Sequence, residues 1–471
     1  MAKPIVAIVG KPNVGKSALF NRLTRRRIAV VEDVPGVTRD RLYADADLNG
    51  RICSLVDTGG FDPMEKTGLV PQVVQQTKFA INEADVIVFV VDAREEPSAL
   101  DFAMADLLRV THKPVVFVAN KVDAAKGKPN AHFELGLGAP IFVSAVHGHG
   151  VAELEDRINE LLPPPGEGDE EEVTEDDGLR IAIVGRPNVG KSAFTNAILG
   201  EERCIVSEVP GTTRDAVDTS FTWQGERVTL IDTAGMRRKA RVKHALEYYS
   251  VLRALRAIDR ADVVVLMVDA GGVVEQDAKI GGYAHDAGKP VIIVVNKWDL
   301  MEEEIRKGME EAADQRKARG DKELKRRLRL AQEDFTRIVR AYLPFLDYAP
   351  VIFASALKKT GVKEVMDEAF LVAEHSARRV PTSQLNTFLI QVQEQHPPPT
   401  VKGKRLKIRY ATQPEVKPPT FVLFVNDPEL MHFSYARHLE NRLRERFGFE
   451  GTPLRLKLRA STGKEAREEM M

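Results

Sequence analysis

The sequence is poor in cysteine, with only Cys53 and Cys204 among 471 residues. This scarcity excludes a small fold stabilised by several disulfide bonds. Both cysteines lie in or beside strand-like segments, so we interpret them as reduced residues in or near a core. No apolar run approaches the 18 residues that a membrane-spanning helix needs, and the chain opens directly into a strand-like segment. We therefore expect a cytoplasmic protein without a signal peptide or a membrane span.

Net charge is nearly absent as well, at −1 from 68 basic and 69 acidic residues. The chain as a whole therefore has no long-range attraction for nucleic acids, and any such surface must be regional. A chain of 471 residues is too long for one hydrophobic core and predicts about three domains.

One glycine-rich pattern occurs twice, as IVAIVGKPNVGKS at 5–17 and IAIVGRPNVGKS at 181–192. In each copy a strand-like run leads into G-x-x-x-x-G-K-S, a P-loop whose backbone N–H groups and following helix N-terminus suit a phosphate chain. We assign the lysine to the β- and γ-phosphates and to catalysis, and the serine hydroxyl to Mg²⁺. The predicted phosphate-binding residues are Gly10, Lys11, Pro12, Asn13, Val14, Gly15, Lys16 and Ser17, and Gly185, Arg186, Pro187, Asn188, Val189, Gly190, Lys191 and Ser192.

Each P-loop is followed by two segments typical of a nucleotide switch. The first reads Pro-Gly-x-Thr-Arg-Asp, and its threonine is expected to join the Mg²⁺ sphere when a γ-phosphate is present. The second begins with an aspartate at the end of a strand, which is expected to supply a carboxylate to the Mg²⁺ site. It continues to a glycine whose amide can reach the γ-phosphate. These residues are Thr38, Asp57 and Gly60 in the first copy, and Thr213, Asp232 and Gly235 in the second.

The base is indicated by N-K-x-D, which occurs at 120–123 and 296–299. Its carboxylate can accept from N1–H and the 2-amino group of guanine, whereas adenine presents an acceptor at N1 and nothing at C2. Sites built on such polar pairs reject the wrong ligand by ~10⁴-fold or more. The lysine is expected along the base plane, and a later Ser-Ala pair is expected at the guanine oxygen. The predicted base-binding residues are Asn120, Lys121, Asp123, Ser144 and Ala145, and Asn296, Lys297, Asp299, Ser355 and Ala356.

Short apolar runs between helical stretches predict the same α/β architecture in both copies. Runs rich in β-branched residues are typical of buried parallel strands, so we expect two P-loop domains with a mostly parallel sheet and helices on both faces. The predicted strands are Pro4–Val9, Ile52–Val56, Val86–Val91, Val115–Ala119 and Ile141–Val143, then Leu179–Val184, Val228–Ile231, Val263–Val268, Val291–Val295 and Val351–Phe353.

The two copies differ in length after N-K-x-D. Asn120 and Asn296 are 176 residues apart, whereas Ser144 and Ser355 are 211 apart, so the second copy carries 35 extra residues. They fall largely at 301–335, a charged segment that we interpret as a solvated helix or a helical hairpin interrupted at Gly320. The expected domains are 1–162, an acidic flexible linker at 163–178, a second domain at 179–379, a small domain at 380–461 and a tail at 462–471.

The small C-terminal domain is expected to be α+β and basic. Between Val401 and Ala460 it carries 13 basic against 6 acidic residues, including Lys402, Lys404, Arg405, Lys407 and Arg409. This bias favours a nucleic-acid-binding face over an ordinary solvated surface. The predicted elements are helix Leu385–Gln393, strands Leu406–Tyr410 and Phe421–Val425, helix Tyr435–Phe447 and strand Leu454–Leu458.

With these motifs present twice and followed by a small basic domain, the chain resembles the Der (EngA) family of tandem-domain GTPases over essentially its whole length. The resemblance implies a KH-like last domain, GTP hydrolysis, and assembly of the large ribosomal subunit through ribosomal RNA or precursor particles, with the protein a monomer. The G-F-E-G segment at 448–451 is acidic and follows a long helix, so we do not assign it to RNA. The alternatives are a GTP-gated RNA-binding module with little turnover, and a GTPase of the same superfamily linked to tRNA or membranes.

The residue after D-x-x-G is Phe61 in one copy and Met236 in the other, and neither side chain can orient a water molecule. In similar GTPases with a hydrophobic residue here, a K⁺ ion supplies positive charge between the β- and γ-phosphates, and an asparagine of the P-loop helps to bind it. Asn13 and Asn188 occupy that position. The competing interpretation is that each asparagine only fixes the loop through local hydrogen bonds.

Overall fold

The computed structural model describes residues 3–24, 43–57, 81, 84–124, 129–164, 178–201, 204–206, 218–232, 246–312, 320–401 and 403–461. The chain divides into two compact units, Met1–Val173 with Ala240–Arg253 and Thr174–Lys239 with Ala254–Met471. Apart from 163, 164 and 178, the predicted linker lies outside the described residues, as does the predicted tail at 462–471.

A six-stranded sheet forms the centre of the first unit. Its strands are β1 (Ile5–Val9), β2 (Tyr43–Leu48), β3 (Arg51–Asp57), β4 (Val86–Asp92), β5 (Val115–Asn120) and β6 (Ile141–Val143), and its helices are α1 (Lys16–Thr24), α2 (Ala99–Arg109) and α3 (Val151–Leu161). The strand order is β2-β3-β1-β4-β5-β6, parallel except for β2 against β3. Every residue of β4 is buried, as expected for a strand covered on both faces. The five strands predicted here are confirmed.

The second unit repeats this sheet with one more antiparallel strand at its edge. Its strands are β7 (Leu179–Val184), β8 (Cys204–Val206), β9 (Thr219–Trp223), β10 (Glu226–Ile231), β11 (Val263–Asp269), β12 (Val291–Asn296) and β13 (Val351–Phe353), in the order β13-β12-β11-β7-β10-β9-β8. Its helices up to residue 377 are α4 (Lys191–Leu199), α5 (Leu246–Arg260) from Ala254 onward, α6 (Glu275–Asp286), α7 (Trp298–Ala312), α8 (Gly320–Tyr342) and α9 (Val362–Ala377). The five strands predicted for the second copy are confirmed, and the α/β class with them.

The antiparallel strands β2, β8 and β9 are missing from the sequence prediction. The sequence YADADL of β2 alternates polar and apolar residues, so it lacks the continuous apolar run of the parallel strands. The turn Asn49-Gly50 between β2 and β3 has φ angles of 52° and 90°, and Gln224-Gly225 between β9 and β10 has 52° and 96°. Positive φ at both positions suits the twist of a two-residue hairpin, and Asn-Gly is its strongest local signal. That dipeptide could have identified the first hairpin.

The charged insertion is a pair of helices, as one of the two interpretations of the sequence predicts. Helix α7 ends at Ala312 and α8 begins at Gly320, the residue expected to interrupt the segment. The helices contact each other through Trp298 and Phe335, whose ring centroids lie 5.8 Å apart edge to face. Trp298 is the third residue of the second N-K-x-D motif, so the insertion packs directly beside a predicted base-binding loop.

The C-terminal domain has two helices on one face of a three-stranded sheet. It contains α10 (Thr382–Gln395), β14 (Thr400–Val401), β15 (Lys404–Arg405), β16 (Ile408–Glu415), β17 (Thr420–Val425), α11 (Phe433–Phe447) and β18 (Arg455–Ala460), with the sheet order β16-β17-β18. The predicted helices and strands are confirmed, except that the first long strand starts two residues later than expected and continues to Glu415. Fully buried Phe421, Leu423, Leu439 and Leu443 belong to its core.

The G-F-E-G segment joins the C-terminal domain to the second P-loop domain. The Gly451 N–H donates to Tyr348 O at 3.0 Å, and the Val291 N–H donates to Gly451 O at 2.9 Å, at the start of β12. The Tyr348 hydroxyl lies 3.0 Å from His285 Nδ1, and the Arg444 guanidinium stacks on the Tyr348 ring, 4.8 Å from its centroid. Burial lowers the pKa of His285 to about 4, so this contact contains a neutral imidazole at physiological pH. The segment therefore serves docking within the chain.

Replacing Gly451 with Ala is expected to destabilise the second unit by about 2–5 kcal/mol. Gly451 has φ +72°, which costs an L-residue about 1–2 kcal/mol, and an added Cβ would overlap Val372 Cγ1, an overpacking cost of about 1–3 kcal/mol. Gly403→Ala is the matched control, because Gly403 has φ +74° with no atom within 4 Å of the added Cβ. Urea unfolding of both variants measures the difference, and equal losses of stability would contradict the packing argument.

Candidate functional site

The two P-loops have the same geometry and are anchored in the same way. Each loop begins where β1 or β7 ends, and α1 or α4 starts at its lysine. Val14 and Val189 are buried in the cores of their domains, which fixes the middle of each loop. Gly15 and Gly190 have φ of 95° and 99°, and an added Cβ would clash with the amide nitrogen of Asn120 or Asn296. Glycine is therefore required where the loop meets the N-K-x-D motif.

The predicted catalytic lysines fold back over their own loops. Lys16 Nζ donates to Gly10 O at 2.9 Å and to Lys11 O at 2.8 Å. Lys191 Nζ donates to Gly185 O at 2.7 Å and to Arg186 O at 2.8 Å. Burial lowers the pKa of both lysines to about 8, because the loop shields the ammonium from water. The P-loop lysine of each site thus lies over the turn where the phosphates of a nucleotide are predicted to bind.

A hydroxyl and a carboxylate meet at the start of the first helix. The Ser17 hydroxyl donates to Asp57 Oδ2 at 2.6 Å, which brings the two predicted Mg²⁺ ligands of the first site together. In the second site Asp232 follows β10, and its backbone N–H donates to Asp218 Oδ1 at 2.9 Å. Ser192 lies in the first turn of α4, as Ser17 does in α1. Such hard oxygen ligands suit Mg²⁺.

The asparagine of N-K-x-D connects three loops in each domain. Asn120 Nδ2 donates to Val14 O at 2.9 Å, and its Oδ1 accepts from the Ala145 N–H at 3.0 Å. The second domain repeats this network with Asn296, Val189 and Ala356 at 2.7 and 3.0 Å. The P-loop, the N-K-x-D loop and the Ser-Ala loop are therefore held together by one buried amide. Its role in this structure is to position the loops that carry the other predicted contacts.

The lysine of N-K-x-D is oriented by an aspartate that the sequence analysis missed. Lys121 and Lys297 have positive φ (70° and 65°), and their Nζ atoms lie 2.7 Å from Asp92 and 2.6 Å from Asp269. Each aspartate ends β4 or β11, so a polar residue closing a wholly apolar strand is the signal that could have found it. In the first domain the Arg94 guanidinium also donates two hydrogen bonds to Asp92, at 2.9 and 2.7 Å.

The two predicted base-reading carboxylates differ in environment. Asp123 lies in a 3₁₀ turn and is exposed, with its Oδ2 3.6 Å from His147 Nε2. Asp299 lies in the first turn of α7 and is 6% exposed, next to Trp298, which packs between Phe353 and Phe335. The helical insertion contacts the residue next to this carboxylate, and the first copy has no such insertion.

The remaining predicted residues have these positions. Ser144 and Ser355 are both 1% exposed, and their hydroxyls accept from the backbone N–H groups of His147 and Lys358. Pro12 and Asn13 are exposed in the first loop, as is Asn188 in the second, where Pro187 is half-buried. Thr38, Gly60, Thr213 and Gly235, together with Phe61 and Met236, lie outside the described residues.

Comparison with known proteins agrees with this duplicated geometry. A family model described as "50S ribosome-binding GTPase" matches residues 5–121 and 180–297. Over 462 residues the chain is 52% identical to GTPase Der of Moorella thermoacetica, covering 97% of this chain and 98% of that protein. It is 50% identical to GTPase Der of Desulfitobacterium hafniense strain Y51 over 462 residues, with 98% of each chain covered. The chain belongs to the Der family.

A second family model, described as the C-terminal KH-domain-like region of EngA bacterial GTPase enzymes, matches residues 379–459. The Der architecture of two GTPase domains and a KH-like domain is therefore confirmed. As a member of the Der family, the chain is a GTP-hydrolysing enzyme. In the described part of this Der chain, no helix combines the length and the apolar character needed to cross a bilayer.

Proposed function

We propose that each GTPase domain binds one guanine nucleotide with Mg²⁺, and that GTP hydrolysis switches the chain during assembly of the large ribosomal subunit. The observation that carries this proposal is the repeated meeting of P-loop, N-K-x-D and Ser-Ala loops around one buried asparagine in each domain. Two matching sites on one chain favour a switch whose state depends on the nucleotide bound at each site. The chain acts as a monomer in the cytoplasm.

In this proposal the phosphates lie over the P-loop backbone of each site. Lys16 and Lys191 each have three donors, so they donate to the β- and γ-phosphates while they stay on their P-loop carbonyls. Ser17 with Asp57, and Ser192 with Asp232, hold Mg²⁺, which would neutralise phosphate charge when bound. The threonines at 38 and 213 and the glycine amides at 60 and 235 complete the γ-phosphate contacts. Asp123 and Asp299 read the base, and Lys121 and Lys297 lie along its plane.

A basic strand segment in the KH-like domain supports binding to ribosomal RNA. Arg405, Lys407 and Arg409 are exposed, while Leu406 and Ile408 between them are buried. This alternation presents three cations on one side of the chain leading into β16, which is an edge strand of its sheet. Lysine and arginine side chains bind a nucleic acid by neutralising the charges of its phosphate backbone. The family description "50S ribosome-binding GTPase" supports a ribosomal partner for this proposal.

The triple variant R405E/K407E/R409E is expected to lose at least tenfold in affinity for large-subunit precursor particles. The slope of log K against log salt is expected to fall by about 2–3, since each lost phosphate contact removes about 0.7–0.9. Co-sedimentation at several salt concentrations measures both quantities. Substitution is preferable to removing the domain, because removal would uncover Tyr348 and Val372 of the second GTPase domain.

The control is R157E/R306E/K363E, which makes the same charge change on helices of the two GTPase domains. Each of these residues is exposed and pairs with an acid on its own helix. The control is expected to bind particles as the unmodified chain does. If both triple variants bind equally well, the basic strand segment is not the RNA contact.

A further inference from the structure

A buried aspartate in helix α2 reaches the P-loop of the first site. Asp101 is 1% exposed, and its Oδ2 accepts from Lys11 Nζ at 3.0 Å, across 90 positions of sequence. Lys11 is the second residue of GKPNVGKS, and it also pairs with the more exposed Glu95 at 3.1 Å. A buried carboxylate requires a compensating partner, and a lysine of the nucleotide loop supplies it here.

The second domain has a related ion pair, formed by a different cation at a longer distance and without a hydrogen bond from Arg186 Nε to any described residue. Asp277 of α6 is fully buried, and its Oδ2 lies 3.6 Å from Arg186 Nε, in the second position of GRPNVGKS. The same arginine donates from Nη2 to Gly272 O at 3.0 Å. Lysine in one copy and arginine in the other preserve the charge and the reach of the side chain. Duplication of the contact with a changed side chain indicates that the pairing itself matters.

Capping of the helix accounts for only part of this arrangement. Asp101 Oδ2 also accepts from the Ser98 backbone N–H at 2.8 Å and the Ser98 hydroxyl at 2.6 Å, as the third residue of a capping box. In the second domain Val274 replaces the serine and has no hydroxyl to share, yet Asp277 still faces Arg186. A cap needs no cation from a distant loop. Oδ1 of each aspartate has no hydrogen-bond partner among the described residues, so the helix cap leaves part of each carboxylate uncompensated.

The second residue of each P-loop also contacts the predicted catalytic lysine through its backbone carbonyl. Lys16 Nζ rests on the carbonyl of Lys11, and Lys191 Nζ rests on the carbonyl of Arg186, each at 2.8 Å. Movement of residue 11 or 186 would therefore shift the carbonyl that orients the ammonium. The contacts form a continuous path from the buried aspartate, through the loop side chain and its peptide, to the lysine.

We propose that Asp101 and Asp277 are positioning residues for the two nucleotide sites. Each aspartate holds the second residue of its P-loop by the side chain and so fixes the carbonyl on which the P-loop lysine rests. This inference rests on the proposed function, since it assumes that each loop binds phosphates. It adds to that function a pair of side chains on helices α2 and α6 that make no predicted contact with nucleotide.

The test measures GTP affinity at one site at a time in the full chain. In the D299N background only the first site is expected to bind GTP, and in the D123N background only the second. A stoichiometry of one GTP per chain checks that each background leaves a single site. Asp101→Asn, which keeps an acceptor for the helix cap, is expected to weaken GTP about tenfold at the first site. Lys11→Met is expected to weaken it by a similar factor, and the double variant by no more than either alone. Lys11→Arg is expected to retain affinity, because arginine occupies this position in the second copy.

Asp277→Asn and Arg186→Met are each expected to weaken GTP about tenfold at the second site. Arg186→Lys is expected to retain GTP affinity there. The matched controls are Asp106→Asn on α2 and Glu275→Gln on α6, exposed acids that pair with Arg109 and Lys279 on their own helices. Both controls are expected to leave GTP affinity unchanged.

Two outcomes separate failure of this inference from failure of the proposed function. If a background variant still binds two equivalents of GTP, the base-reading proposal has failed. If it binds one equivalent, but Asp101→Asn only lowers the melting temperature and Lys11→Met has no effect on affinity, the aspartate is a helix cap and the positioning role is wrong. Additive effects of Asp101→Asn and Lys11→Met would also overturn it.

Discussion

Asp299→Asn is expected to weaken GTP at the second site by at least 100-fold and to let that site bind xanthosine nucleotides. Guanine presents donors at N1 and at its 2-amino group, so the amide NH₂ of asparagine would face a donor. Xanthine carries an oxygen at C2, which that NH₂ can satisfy. Polar mismatches of this kind in water-excluded sites reach about 10⁴-fold. Titration with GTP and with xanthosine triphosphate measures the exchange of preference.

Asp123→Asn is expected to give the same exchange at the first site with a smaller loss. Asp123 is exposed, so water can satisfy part of the mismatch, whereas Asp299 is 6% exposed beside the helical insertion. Asp367→Asn is the control, because Asp367 is an exposed acid that pairs with Lys363 on α9. Full GTP affinity in the Asp299→Asn variant would show that another group reads the base.

GTP hydrolysis is expected to be several-fold or more faster in KCl than in NaCl at equal ionic strength. Phe61 and Met236 stand where a water-orienting glutamine would be, so a monovalent cation beside the phosphates is proposed to supply the missing charge stabilisation. Na⁺ is smaller and fits a K⁺-sized set of oxygens poorly. Single-turnover hydrolysis in both salts, with each site measured in the opposite Asp→Asn background, tests this proposal.

The backbone at Asn13 and Asn188 determines which variants are informative. Both residues have φ of 66°, a conformation that asparagine tolerates and alanine does not. Asn→Ala would therefore strain the loop as well as remove the amide oxygen. Asn13→Gly and Asn188→Gly remove the oxygen without strain, and we expect them to abolish the KCl advantage while GTP binding survives.

Asn13→Asp and Asn188→Asp keep an oxygen at the same place and serve as the controls. They are expected to retain dependence on K⁺. Equal hydrolysis rates in KCl and NaCl at both sites would remove K⁺ from the mechanism. Loss of GTP binding in the glycine variants would instead favour the competing view, in which the asparagines only fix the loops.

Residue identity and short-range spacing determined the nucleotide chemistry of this protein. P-loop, N-K-x-D and Ser-Ala motifs are runs of a few residues whose backbone shape and side-chain chemistry are local, and they predict GTP without any tertiary contact. The buried parallel strands could be predicted for the same reason, because a strand covered on both faces needs a continuous apolar run. Edge strand β2 was not predicted because only one of its faces is apolar, so its sequence has no continuous apolar run.

Tertiary structure decided how the local motifs are supported and how the two copies differ. The pairing of Lys11 with Asp101 spans 90 positions, and nothing near either residue specifies the other. The insertion meets the second base-binding loop at Trp298, and G-F-E-G becomes a docking segment only because Gly451 meets Val291 and Tyr348. Such contacts depend on which helices, strands and loops pack against each other in the folded chain. Local residue patterns encode the chemistry of a loop, whereas burial and long-range partners depend on the packing of the whole domain.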